Sequence, residues 1–325
     1  MLSKKEEIPL PPSEFLYTYV CHEEEQALCA MELRALFTMP DAQLLQSDGG
    51  RYFSSEHAIN PSRSPFLKLE LAVEYTAESL EELAQHAAAI ELGGSTFKVV
   101  YVETAPGAAD YTDKRATERA VGARIRGQAD MRAPEQLLGV ARIGSRWMLG
   151  GCRESGAAWL THNAKPRHYS TALSTRMARA VANIAVPEPA GVRVVDPCCG
   201  IGTVLVEALS MGIDIVGYDI NPLAVRGARE NLAHFGMPSN VAIADLRELS
   251  GHFDAAVLDM PYNLCSVLPV EERNEMLRSL RRLADRAVIV TAEPMDGGIA
   301  DAGFIIADRA EVRKGKFTRH ILLCY

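Results

Sequence analysis

Two stretches of the chain carry residue types whose order suggests chemistry. The first, Asp196-Pro197-Cys198-Cys199-Gly200-Ile201-Gly202-Thr203, follows the apolar pair Val194-Val195 and leads into a helical pattern. Glycine has no Cβ and tolerates positive φ, so a glycine turn there lets a nucleoside-type ligand come close to the backbone. The second, Asp259-Met260-Pro261-Tyr262-Asn263, ends another short apolar run and sets a carboxylate beside an aromatic ring. One motif suggests a cofactor and the other a planar substrate.

A G-x-G turn is weak evidence by itself, but its surroundings narrow the ligand. Leu205 stands where a dinucleotide fingerprint would want Gly or Ala, which disfavours a pyrophosphate pressed onto the helix N-terminus. Gly217-Tyr218-Asp219-Ile220-Asn221 closes the next strand, and the Asp219 carboxylate suits two ribose hydroxyls. Ala244-Asp245-Leu246 closes the third, where Asp245 can accept from an adenine amine. An adenosine without a diphosphate describes S-adenosylmethionine, with Asp196, Cys198, Gly200, Gly202, Thr203, Asp219, Ile220, Asp245 and Leu246 as the expected cofactor set. Asp219 or Asp245 alone reads equally well as a helix cap or turn residue. With Asp196 and Asp259 added, four carboxylates fall at strand ends, where open α/β sheets bind their ligands. No metal site is expected.

Asp259, Pro261 and Tyr262 are the expected catalytic residues. A nucleobase amine is a poor nucleophile because its lone pair is delocalised into the ring. Its methylation therefore needs acceptors that hold the N–H bonds and favour a pyramidal nitrogen. Asp259 can be one acceptor and the backbone carbonyl of Met260 or Pro261 the other. Tyr262 offers a face on which an extruded base stacks, while Pro261 stiffens the loop. The blander reading is a proline-terminated strand followed by a buried tyrosine.

The elements that must position these residues follow from periodicity. From Val192 onward, strand and helix patterns alternate, which argues for an α/β domain with a mostly parallel sheet wrapped on both sides. Phe304 to Val312 and Phe317 to Tyr325 close it as an antiparallel hairpin. Upstream, Phe15 to Val20 reads as a strand, Glu23 to Leu36 as a helix, and Arg51–Ser55 and Phe66–Val73 as strands, suggesting part of a ferredoxin-like sandwich. Ser79–Ile90 and Lys114–Arg126 read as helices around a strand at Phe97–Glu103, with two strands following before Arg153. The expected domains are 1–74, ferredoxin-like; 75–154, a second α/β unit; 155–168, a linker; and 169–325, Rossmann-like.

At 325 residues with 48% hydrophobic content the chain can bury a real core. No window approaches the roughly 18 apolar residues of a membrane span, and the start lacks a signal-peptide pattern, so a cytoplasmic protein without a membrane partner is expected. Seven cysteines form no C-x-x-C pair, which fits reduced thiols. Net charge is −8, unfavourable on its own for a nucleic-acid partner. The distribution qualifies that total. No acidic residue occurs from Ser155 to Pro187, a span that holds Lys165 and Arg167, and Arg115, Arg119 and Arg126 share one face of the helix expected over 114–126. These five are the expected RNA contacts.

Asp-Pro-x-Cys-Gly-x-Gly-Thr from Asp196, Gly-x-Asp-Ile-Asn from Gly217 and Asp-x-Pro-Tyr from Asp259 are similar to the motifs of class I amino-methyltransferases. The upstream order of helix, strand, basic helix with Val121-Gly122-Ala123-Arg124-Ile125 and two strands resembles a THUMP domain. Together they resemble the THUMP-containing tRNA guanosine N2-methyltransferase family, of the type acting at position 10. That resemblance implies an S-adenosylmethionine-dependent enzyme that binds tRNA and flips a guanine against Tyr262, with an activating protein partner left open. Many members carry Asp-Pro-Pro-Tyr-Gly, where this chain has Met260 and Asn263. The alternatives are ribosomal RNA or an adenine amine as substrate, or a catalytically silent RNA-binding module on a methyltransferase scaffold.

Overall fold

A computed structural model describes residues 14–39, 50–261, 269–315 and 317–325. These residues form two compact units. One holds 14–20, 50–62 and 67–156; the other holds 21–39, 63–66 and the described residues from 157 onward.

The first unit begins with β1 (Phe15–Tyr19), after which the chain leaves it for α1 (Gln26–Phe37). It returns with β2 (Tyr52–Ser55), β3 (Leu67–Ala72), β4 (Tyr75–Ala77), α2 (Leu80–Ala87), β5 (Phe97–Val102), α3 (Tyr111–Gly122), β6 (Gln136–Ile143) and β7 (Arg146–Glu154). One sheet runs β2-β1-β3-β7-β6-β5, with β4 also on β7. The boundary expected at residue 74 thus falls within a sheet. The cause is the length of β7, which pairs antiparallel with β4 through Leu149↔Tyr75 and with β3 through Cys152↔Leu71. Gly150 sits where that pairing passes from one strand to the other. A Cβ there would come within 1.9 Å of the Ala72 carbonyl oxygen, so the close backbone approach requires glycine.

Helices α2 and α3 pack together beside this sheet. Asp110 caps α3 by accepting the Asp113 N–H, and the helix ends at Gly122 in tight turns from Val121 to Arg124 and Gly122 to Ile125. The helix expected to reach residue 126 therefore stops short. Arg126 leaves the shared face with Arg115 and Arg119 and lies instead in a bridge beside Glu91.

In the second unit, the stretch read as a linker contains a 3-10 helix, Ala158–Ala164, that buries Trp159 and His162. Then come α4 (Thr175–Ala185), β8 (Arg193–Asp196), α5 (Thr203–Ser210), β9 (Asp214–Asp219), α6 (Pro222–His234), β10 (Val241–Ile243), β11 (Ala255–Asp259) and α7 (Val270–Leu283). β12 (Ala287–Thr291), α8 (Asp296–Asp301), β13 (Ile306–Lys314) and β14 (Phe317–Cys324) complete it. The sheet order is β10-β9-β8-β11-β12-β14-β13, with the first five parallel and the last two an antiparallel hairpin. This is the α/β sheet the alternation predicts. Reversal of strand order beside β8 puts the glycine turn and the end of β11 at one edge of the sheet, the usual ligand site of such folds.

Helix α1, expected in a sandwich with β1, packs on α4 and β13 in this second unit. Arg34 forks onto Asp308, each contact 2.9 Å. The fully buried Glu32 accepts from the Ser64 hydroxyl and the Asn183 amide, and burial pushes its carboxyl up to about 7. Beside it Arg179 reaches Glu207 at 2.7 Å, and Glu207 also meets His162 at 2.7 Å. Buried charges persist when paired in this way, and removing one partner strands the other. Among the described residues, no helix is long and apolar enough to cross a membrane.

Candidate active site

A cleft of about 890 Å³ opens at the carboxyl ends of β8, β9, β10 and β11. Asp196, Cys198, Gly200, Thr203, Asp219, Ile220, Asp245, Leu246, Asp259 and Pro261 all line it.

The glycine turn is shaped by its backbone. Gly200 and Gly202 have φ of +54° and +77°, values that an L side chain rarely adopts. A Cβ on Gly202 would also press on Ala228 of α6 at 3.1 Å. The Gly200 N–H donates to Asp219 at 2.8 Å, while the other Asp219 oxygen accepts the Asn221 N–H at 2.8 Å. Asp219 thereby joins the end of β9 to the turn after β8 and keeps lone pairs for hydroxyl donors. Leu205, the residue in place of a third glycine, packs under the sheet: a Cβ on Gly217 would meet its Cδ1 at 2.5 Å. The bulky side chain and the bare strand residue are a matched pair.

Asp245 is engaged differently. It accepts the Arg247 N–H at 2.9 Å, and the Arg247 guanidinium forks onto both its oxygens. That hydrogen bonding holds its carboxyl below the usual range. The turn-residue reading of Asp219 and Asp245 is therefore true as far as it goes, and both still face the cleft.

Asp196 is 3% exposed and accepts the Cys198 N–H at 3.3 Å. Burial, with the charges of Asp259 and Asp219, pushes its carboxyl well above the ordinary value. The neighbouring Cys198 and Cys199 thiols are pushed up by the same burial, so neither is a ready thiolate. Cys265 and Tyr262 lie outside the described residues. Asp259 ends β11 with one oxygen, Oδ1, buried and without a hydrogen-bond partner among the described residues; Thr203 Oγ1 is in the same condition. Burial pushes the Asp259 carboxyl up to about 7, opposed by the charge of Arg319. Met260 turns its side chain into the core with Leu277 and Met295, and Pro261 is exposed at the cleft.

Clustered acidic groups and orphaned polar atoms fit a ligand that is cationic and rich in donors. S-adenosylmethionine, with its sulfonium, ammonium, ribose hydroxyls and adenine amine, has that chemistry. No group of His, Cys, Asp and Glu among the described residues could hold a metal ion.

The expected RNA contacts divide. Arg119 and Arg126 are exposed in the first unit, while Arg115 is paired with Glu118 at 2.8 Å. Arg167 lines the cleft and pairs with Glu230. Lys165 is only 8% exposed, so it is not the open phosphate contact expected; desolvation lowers its pKa, opposed by Glu207. The sequence reading missed Thr171, Arg247 and Met276 on the cleft wall, and Arg319 beside Thr171. None has a local signal, because each arrives from a different turn, helix or strand.

A family model described as RMKL-like, methyltransferase domain matches residues 162–295. The tRNA (guanine(10)-N2)-dimethyltransferase of Methanothermobacter thermautotrophicus is 28% identical over 320 residues, covering 90% of this chain and 93% of that protein. The enzyme of the same name from Pyrococcus abyssi is 30% identical over 125 residues, 37% of each chain. The mouse U6 snRNA (guanine-N(2))-methyltransferase THUMPD2 is 30% identical over 141 residues, 40% of this chain and 26% of that one. Sheet order, cleft chemistry and these matches converge: residues 162–295 are similar to a methyltransferase domain, and the chain is similar along most of its length to a tRNA (guanine(10)-N2)-dimethyltransferase.

Proposed function

We propose that the chain methylates N2 of a guanosine in tRNA. The observation that carries this reading is Asp259, whose buried Oδ1, without a partner among the described residues, stands at the end of β11 beside the proposed cofactor carboxylates. An ionised carboxylate there accepts from both N1–H and N2–H of guanine, which fixes the amine and drains its delocalised lone pair back toward nitrogen. A carbonyl at Met260 or Pro261 supplies the second acceptor, and Tyr262 a stacking face for the flipped base. The amine nitrogen becomes acidic only once alkylated, so Asp259 need not remove a proton before transfer.

In this reading Asp219 holds the ribose of the cofactor, Asp245 and Leu246 the adenine, and Asp196 with the Gly200–Thr203 turn the amino-acid end. The bound cofactor supplies a methyl group made electrophilic by its sulfonium. Residues 75–154 serve as a THUMP-like RNA-binding unit through exposed Arg119 and Arg126, with their neighbours Arg124 and Arg132, while Arg167 contacts RNA at the cleft. The work is done in the cytoplasm. Incubation with labelled cofactor and unmodified bulk tRNA, followed by digestion to nucleosides, should place label in N2-methylguanosine. Label in N6-methyladenosine instead would overturn the base assignment.

A further inference from the structure

The C-terminal hairpin places a cation near the carboxylate that ends β11. Asp259 pairs with Val290 across β11 and β12, and Val290 pairs with Ile321 across β12 and β14. Directly paired residues present their side chains on the same face, as do residues two apart along a strand. Asp259 and Arg319 therefore emerge on one face of the sheet, two strand spacings apart across β12 and two residues apart along it. That puts their Cα atoms roughly 12 Å apart, a gap that an arginine leaning toward a carboxylate can narrow. Arg319 is fixed along its length. Its Nη2 donates to the Thr171 carbonyl at 2.8 Å, and its guanidinium carbon lies 5.1 Å from the Phe317 ring centre. Thr171 lines the same cleft as Asp259.

The other charges around Asp259 are accounted for. On β8, the Arg193 guanidinium donates to the His252 carbonyl at the far end of the strand, while at the near end Asp196 and Cys198 feel the charge of Asp259. β12 carries no titratable side chain. On α4, Arg176 is bound to Glu25 and Arg179 to Glu207. Among the described residues, Arg319 is the cation whose charge acts on the β11 carboxylate.

We propose that Arg319 is a positioning residue for methyl transfer, keeping Asp259 as the carboxylate that can accept two guanine N–H bonds and tying the Thr171 segment over the reacting end. This deepens the guanine-N2 reading and rests on it. A protonated Asp259 would offer a donor where an acceptor is needed. Burial drives Asp259 toward the acid and Arg319 opposes it, so a neutral residue at 319 should extend the acid form to higher pH.

The test is the pH profile of single-turnover methyl transfer to tRNA at saturating cofactor, for the full chain and for Arg319→Gln and Arg319→Lys. Arg319→Gln should move the midpoint of the acid limb upward by about one pH unit and regain most of its rate on the alkaline side, with cofactor affinity unchanged by equilibrium dialysis. Arg319→Lys should keep the original midpoint. A rate loss in Arg319→Gln that is the same at every pH would overturn the proposal, as would an equal upward move in Arg319→Lys. The Lys variant decides the matter if the Gln variant does not fold. Absence of N2-methylguanosine with the unaltered chain would count against the guanine reading itself, a separate outcome from an unmoved acid limb.

Discussion

Asp219 and Asp245 on one side of the cleft and Asp259 on the other are the same residue type, treated oppositely. At the end proposed to hold the cofactor, Asp219 is held by two backbone N–H groups and Asp245 by a bidentate guanidinium. At the reacting end, Asp259 keeps one oxygen buried and without a partner among the described residues, and its proton affinity is raised rather than lowered. A carboxylate already satisfied is a rigid platform that adds a ligand contact cheaply. One left unsatisfied is a costly group whose demand only the right donors can meet. On the proposed reading, stability is given up at the position where selectivity for an amine is needed.

Substitutions can break this contrast. Asp259→Ala should abolish transfer, by at least ~100-fold, while cofactor affinity measured by equilibrium dialysis stays nearly unchanged. Unchanged turnover would remove Asp259 from the chemistry. Asp219→Ala should act at the other end, weakening cofactor binding by ~10- to 100-fold, the worth of charge-assisted hydrogen bonds, while saturating cofactor restores much of the rate. If Asp219→Ala instead lowered only the maximal rate, the two ends would not be functionally separate.

The unaltered enzyme should show an acid limb as well. Its Asp259 carboxyl is raised to about 7, so the active carboxylate form is gained as pH rises through that value. Transfer at pH 6 should be roughly a tenth of that at pH 8, whereas cofactor affinity, resting on the depressed carboxyl of Asp245, should not follow it. Smallest of all, Arg119→Ala in the first unit should weaken tRNA binding about two- to threefold and make the logarithmic salt dependence shallower by about one, with both ends of the cleft unaffected. A change in cofactor affinity would contradict that assignment.

Much of the cleft was legible because strand ends and glycine turns are local. The absence of a third glycine argues against a diphosphate, and Leu205 against Gly217 gives that absence a packing reason. Three-dimensional partners were not legible. The burial of Lys165, the fork of Arg247 on Asp245 and the reach of Arg319 to Thr171 depend on what folds over them. The spacing of Arg126 fits a helix face, but the helix ends first, at Gly122 and its tight terminal turns. The destination of α1 could not be read from its apolar stripe, which shows that a face is covered and not by what.

That destination bears on how the chain is made. Helix α1 leaves the ribosome between strands of one unit but completes the other, whose α4 and β13 are synthesised far later. Glu32 must wait for Asn183, and Arg34 for Asp308. Vectorial synthesis usually lets each domain close before the next begins. Here the catalytic unit cannot close until nearly the last strand has emerged, so a fragment cut at the start of the methyltransferase motifs would lack one of its own helices.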